Sequence, residues 1–166
     1  NDGVKYVRVV DMKDGGIRLS SIRRTTYEIS NSFKRSTLSF GDLLISIRGH
    51  VGRVAVIPPE LDGANITQDS ARLAITGANP IYVRECLRTP VLQRWMAKHT
   101  KGIAVRGINL GDLKMMPIPL PPRHLQDEFG EQAVAIDQLV VKHMESASAL
   151  GSLFNSLQQQ AFARQL

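Results

Sequence analysis

A mixed α+β fold is predicted: a domain built on mixed β-sheet, followed by one long α-helix that projects from it and forms a coiled-coil arm. Three observations carry that expectation. Short apolar runs bounded by Gly, Asp and Pro occupy the first 75 residues. The apolar period becomes helical from Ile81 to Lys98. After Pro121-Pro122 no proline interrupts the chain to Leu166, and Leu125, Phe129, Ala133, Ile136, Leu139, Val140, Ala147, Leu150, Leu153, Leu157 and Phe162 recur at helical spacing. About 40 residues of helix are roughly 60 Å long. The roughly 120 residues before them should have a radius of gyration near 14 Å. The reading therefore divides the chain into a domain at 1–121 and a helix at 122–166.

The elements follow in order. Val4 to Val10 alternates and is rich in valine, which predicts a strand. Asp14-Gly15-Gly16 is a turn, and the polar, basic stretch from Arg18 to Thr26 reads as an exposed loop. Gly41-Asp42 turns into a continuous apolar run, Leu43 to Ile47, the mark of a strand buried on both faces. Arg48-Gly49-His50-Val51-Gly52 is a tight connection to a strand at Val54 to Ile57, which Pro58-Pro59 ends. Asp62-Gly63-Ala64-Asn65 is a turn, and Ser70 to Ile75 a further strand. Asn79-Pro80 has the form of a cap followed by a first helical residue, and Pro90 starts a second helix. Lys101 to Gly107 is a glycine-flanked loop or short strand, and Leu110 to Leu120 leads through Pro117 and Pro119 to the long helix.

Composition narrows the function classes. Hydrophobic residues at 43% and charged residues at 22% are ordinary for a globular domain, and no apolar run approaches the roughly 18 residues that a membrane helix needs. Cys86 is the single cysteine, which excludes an internal disulfide and reads as a small buried hydrophobe. Asn1 to Val10 is unlike a signal peptide, so a cytoplasmic address is expected. The absence of an initial Met points to a truncated or processed piece. Net charge is +6 but uneven: residues 1–122 hold 18 Lys+Arg against 10 Asp+Glu, net +8, and residues 123–166 hold 3 against 5, net −2. A basic domain carrying an almost neutral helix points to a polyanionic partner, duplex DNA first.

Particular fragments sharpen this. Gly41-Asp42-Leu43-Leu44-Ile45 is followed by Arg48-Gly49-His50-Val51-Gly52-Arg53. Thr67-Gln68 precedes a strand, Pro80-Ile81-Tyr82 opens a helix, and Lys101-Gly102-Ile103 leads to Ile108-Asn109. Ile118-Pro119-Leu120-Pro121-Pro122 precedes Gln126, and the helix ends in Leu153-Phe154-Asn155-Ser156-Leu157 and Ala161-Phe162-Ala163. In their order and spacing these fragments resemble the specificity subunits of type I restriction-modification systems. Such subunits usually carry two target-recognition domains, each followed by a long helix. The resemblance implies half a subunit, one domain and one helix, without the opening segment that precedes the first strand in that family. It implies a non-catalytic protein that reads one half of a bipartite duplex site and recruits methyltransferase and restriction subunits, with no cofactor of its own.

In that setting the candidate DNA contacts are basic and polar residues on loops beside a sheet: Arg18, Ser20, Arg23 and Arg24; Arg48 and His50; Lys101, Arg106 and Asn109. Lys34 and Arg35 read as ordinary surface. In the helix, Phe129, Ile136, His143, Leu150 and Leu157 share one heptad position; Leu125, Gln132, Leu139, Ser146, Leu153 and Gln160 share another. Small residues from Ser146 to Gly151 sit near the middle of this seam, where antiparallel pairing of two copies would bring them together, so a homodimer is expected. Asn79-Pro80-Ile81-Tyr82 is close to the base-holding Asn-Pro-Pro-Tyr of amino-methyltransferases, but no glycine-rich loop for a methyl donor precedes it. No paired carboxylates with Glu-x-Lys spacing, no nucleophile signature and no His/Cys metal spacing are present. The alternative from another class is an interaction scaffold whose helix joins an assembly and whose basic face is incidental.

Overall fold

The structure is a computed structural model that describes residues 2–13, 15–102 and 106–163. It divides into two compact units, residues 1–127 and 128–166. The first unit is mixed α and β, and a long helix closes the chain, as expected.

Among the described residues, unit 1 contains three small sheets. In the first, β1 (Val4–Val7) pairs antiparallel with β4 (Arg23–Thr25) and parallel with β7 (Asn65–Ile66). The second is the two-stranded pairing of β2 (Met12–Lys13) with β3 (Gly16–Ile17); the turn residue Asp14 between them lies outside the described residues. The third is antiparallel, with β5 (Leu43–Ser46) between β6 (Val54–Val56) and β8 (Ser70–Leu73).

The centre of the unit is β5. Leu43 and Ile45 face one apolar cluster, completed by Val83, Cys86 and Leu87 of α2 (Pro80–Arg88) and by Leu92 and Met96 of α3 (Pro90–His99). Leu44 faces the opposite cluster, with Val7, Met12, Leu38, Ala55, Ile57 and Leu61. Period-2 alternation through a run that is apolar on both sides is what produces two cores from one strand. The two helices start where their caps place them. Asn79 Oδ1 accepts from Ile81 N at 2.9 Å and Tyr82 N at 3.2 Å, and Thr89 Oγ1 accepts from Leu92 N at 3.4 Å, each cap being followed by Pro at the first helical position.

Four expectations are corrected. The first strand stops at Val7, because Val9–Asp11 forms a 3₁₀ turn that carries the Asp11 carboxylate inward to Arg8. The stretch from Arg18 to Thr26 is not a loop: Leu19–Ser21 is a 3₁₀ turn and Arg23–Thr25 is β4, followed by the short helix α1 (Tyr27–Ser32). Asn65 is not a turn residue. It is buried in β7, where its amide donates to Phe33 O at 3.2 Å and Ser36 Oγ at 2.8 Å and accepts from Ser30 Oγ at 2.6 Å. Between Leu110 and the prolines lies a short helix, α4 (Leu110–Lys114).

The last helix, α5 (Arg123–Ala163), has 41 residues. Its first turn belongs to unit 1 and is held by buried Gln126, whose Oε1 accepts from Asn79 N at 3.0 Å and whose Nε2 donates to Pro121 O at 2.7 Å. Asn79 Nδ2 also donates to Asp127 Oδ1 at 2.7 Å. That bond, with the nearby Arg123, holds the Asp127 carboxyl below the usual carboxylate range. In unit 2, Ile136, Leu139, Val140, Leu150, Leu153 and Leu157 are all at least half exposed. No helix among the described residues is long and apolar enough to cross a membrane.

Candidate nucleic-acid interface

The turn Arg48 to Gly52 is held shut at its base. The Ser46 hydroxyl, fully buried, donates to His50 O and accepts from Arg53 N at 2.8 Å, so one side chain closes both ends of the turn. Gly52 N donates to Ser46 O at 3.0 Å. Gly52 sits at φ +93°, a backbone conformation that favours glycine, and a Cβ there would have to displace the Gln93 side-chain amide at 2.7 Å. This fixed turn presents Arg48 and His50, both exposed.

A second segment is tied to it. Gly49 N donates to Arg106 O at 2.9 Å, Ile108 N donates to Ile47 O at 2.9 Å, and Lys101 and Gly107 exchange backbone bonds at 2.8 Å. These bonds place Arg48, Lys101 and Asn109 around one depression of about 520 Å³, together with Gln68 and Asp69. His50 and Arg106 line a neighbouring depression of about 290 Å³. Ile103, Ala104 and Val105, part of the glycine-flanked loop, lie outside the described residues. Within this group Asn109 has a local task. Its Oδ1 caps α4 by accepting from Asp112 N at 2.7 Å, and its Nδ2 donates to Asp112 Oδ2 at 2.7 Å. Both ends of its amide thus already bond Asp112, while Lys101 Nζ stands 3.5 Å from the same carboxylate.

The candidates before residue 30 separate. Arg24 lines a depression of about 480 Å³ with Tyr6, Ser30, Asn65, Thr67 and Gln68. Arg18, Ser20 and Arg23 are exposed but lie outside these three depressions. Arg18 and Ser20 belong to the turn that Asp11 organises. Arg8 donates to Asp11 through Nε at 3.0 Å and Nη2 at 2.8 Å, and Ser21 Oγ donates to it at 2.7 Å. Burial pushes the Asp11 carboxyl up, but the bonds from Arg8 and Ser21 outweigh it and hold the group below the usual carboxylate range.

Sequence reasoning passed over two features. Lys34 and Arg35, read as ordinary surface, line a depression of about 710 Å³ with Asn31, Thr67, Gln68 and Arg72. Gln68 lies on three of these depressions at once. Its sequence signal was only Thr67-Gln68 ahead of a strand, which has meaning for a site once the strands are placed. Among the described residues no three His, Cys, Asp or Glu side chains group as a metal site requires.

No family model matches the sequence. The chain is 31% identical over 171 residues to the type I restriction enzyme EcoBI specificity subunit of Escherichia coli, an alignment covering 99% of this chain and 36% of that protein. Among solved structures, the HsdS subunit from Thermoanaerobacter tengcongensis matches with a TM-score of 0.65 at 19% identity, over 84% of this chain and 37% of that one. A chain from a structure of type I R-M system assembly matches at 0.61 and 18% identity, over 89% and 38%. The type-I restriction-modification system S subunit from M. genitalium matches at 0.51 and 17%, over 82% and 32%. The chain therefore spans about a third of the length of the proteins it matches. Sequence and fold together identify it, along nearly its whole length, as a relative of the type I restriction-modification specificity subunits.

Proposed function

We propose that this chain reads one half of a bipartite duplex DNA site for a type I restriction-modification system. The observation that carries the reading is the gathering of Arg24, Lys34, Arg35, Arg48 and Lys101 around the turn Thr67 to Asp69, in a unit whose net charge is strongly positive. Cations on short, backbone-fixed turns suit phosphate contact, which sets register, while polar side chains between them reach base edges. The domain at 1–121 does the reading. The helix at 122–166 pairs antiparallel with the helix of a second copy through Phe129, Ile136, Leu139, His143, Leu150, Leu153 and Leu157, forming a two-stranded coiled coil with the small residues Ser146 to Gly151 at its middle. The exposure of this row supports that pairing. The paired helices set the distance between half-sites and dock a methyltransferase subunit, and a restriction subunit joins that complex. Methyl transfer and cleavage belong to those partners; this chain contributes position and choice of sequence, and works in the cytoplasm.

The test is selection of random-sequence duplex DNA, with and without the neighbouring methyltransferase subunit. The expected result is a short motif in two inverted copies at fixed spacing, with affinity that falls steeply as salt rises. Absence of any enriched motif in both conditions, with weak salt dependence, returns the chain to the scaffold reading.

A further inference from the structure

We propose that Gln68 reads a base edge, with preference for adenine, and so decides one position of the half-site; this rests on the DNA-reading function proposed above. Four observations converge on it. Its backbone is fixed from two sides: Thr67 N donates to Val7 O at 3.2 Å in the first sheet, and Asp69 O accepts from Ile47 N at 2.8 Å and Arg48 N at 3.2 Å beside the third. Ser70 N donates back to Thr67 O at 3.1 Å, closing the turn. The side chain at its tip is exposed, and its amide has no hydrogen-bond partner among the described residues. Cations surround it in the depressions that meet there: Arg24 in one, Arg48 and Lys101 in the second, Lys34 and Arg35 in the third.

This is a division of labour that base reading needs. The cations meet phosphates on either side and fix the register. The amide between them carries one donor group and one acceptor, the pair that matches adenine N7 and its 6-amino group in the major groove. A neutral amide adds little to phosphate attraction beside five cations, so its distinct contribution is selectivity. Because the turn's backbone is already fixed, the entropy lost when the amide engages is confined to the Gln68 side chain. Asn109, the other amide candidate, lacks this freedom because Asp112 occupies both of its ends.

The experiment is random-duplex selection with the full chain and its methyltransferase subunit, comparing wild type, Gln68→Ala and Gln68→Glu. Both variants change only an exposed turn-tip side chain, so both should fold like wild type by circular dichroism. The assignment expects Gln68→Ala to lose adenine preference at one half-site position by roughly 10-fold or more, with the other positions and the salt dependence of binding unchanged. Gln68→Glu should move that position toward cytosine, whose 4-amino group a carboxylate accepts. An identical motif in Gln68→Ala, a uniform loss at all positions, or a wild-type half-site with no A·T pair would overturn the assignment while leaving DNA reading in place. A wild-type chain that enriches no motif overturns DNA reading and this assignment together.

Discussion

Strand β5 and helix α5 are made of the same kinds of residue and meet opposite fates. Leu43, Leu44 and Ile45 are fully buried between two clusters, whereas Ile136, Leu139 and Leu150 stand 60%, 55% and 66% exposed on α5. Periodicity specifies which face of an element is apolar in both cases. Whether that face is covered depends on what else the chain brings to it. For β5 the cover comes from within unit 1, from α2 and α3 on one side and from Val7, Leu38 and Leu61 on the other. For α5 between residues 128 and 163, we propose that it comes from another copy. Charge repeats the contrast: the basic excess lies before residue 123, the slightly acidic balance after it.

The sharpest way to break this comparison is to delete the same kind of side chain from each element. Ile45→Ala should destabilise unit 1 by about 2–5 kcal/mol, read from its denaturant midpoint. Leu139→Ala should leave that midpoint where it is. Leu139→Asp or Leu150→Asp should convert dimers to monomers by light scattering, and a persistent dimer would remove α5 as the interface. Next in size, Arg48→Ala should weaken DNA binding by about 1–2 kcal/mol with the fold intact and reduce the salt slope by about one. Arg106→Ala should act in the same direction, and unchanged affinity and selectivity in both variants would take these residues out of the interface.

Acid separates the two units by another route. Asp11 has a depressed folded-state pKa, so its stabilising effect is complete above the ordinary carboxylate value near 4 and is lost as pH falls through the lower folded-state value. Asp11→Asn should therefore flatten the acid limb of the unit 1 stability profile. The smallest effect is expected at the helix cap. Asn79→Ala should cost about 1 kcal/mol in unit 1, because it removes the side chain that holds both the start of α2 and Asp127 in the first turn of α5.

Local chemistry made much of the fold legible. The continuous run from Leu43 predicted a strand buried on both faces. Asn79-Pro80 and Pro90 marked two helix starts, because a cap satisfies, and proline at the first position dispenses with, the free amides there. The helix expected from Pro122 begins at Arg123. Arg48, Lys101 and Asn109 were chosen separately from basic loops, and the structure sets them around one depression.

What escaped was non-local. β7 pairs in parallel with β1 across nearly sixty residues, and two residues of sequence carry no periodicity to announce it. Asn65 looked like a turn residue because the donors and acceptors that bury it, Ser30, Phe33 and Ser36, lie some thirty positions away. The strand expected to run to Val10 was cut short by a 3₁₀ turn that pairs the buried Asp11 carboxylate with part-exposed Arg8, which no apolar pattern reveals. Asn109 and Gln68 exchanged importance for the same reason. An amide is available only if nothing nearby claims it, and Asp112 claims Asn109 while Gln68 stands clear.

The sequence by itself determined the class of fold, the long helix and its apolar row, the two capped helices and the basic character of the first unit, because each of these follows from residues within one or two turns of one another. The tertiary structure alone decided how the small sheets of the first unit pair among the described residues, that one turn between strands gathers cations drawn from four separate segments, and which amide among them is free. Those outcomes depend on contacts between residues far apart in the chain, whose geometry exists only after the strands have paired.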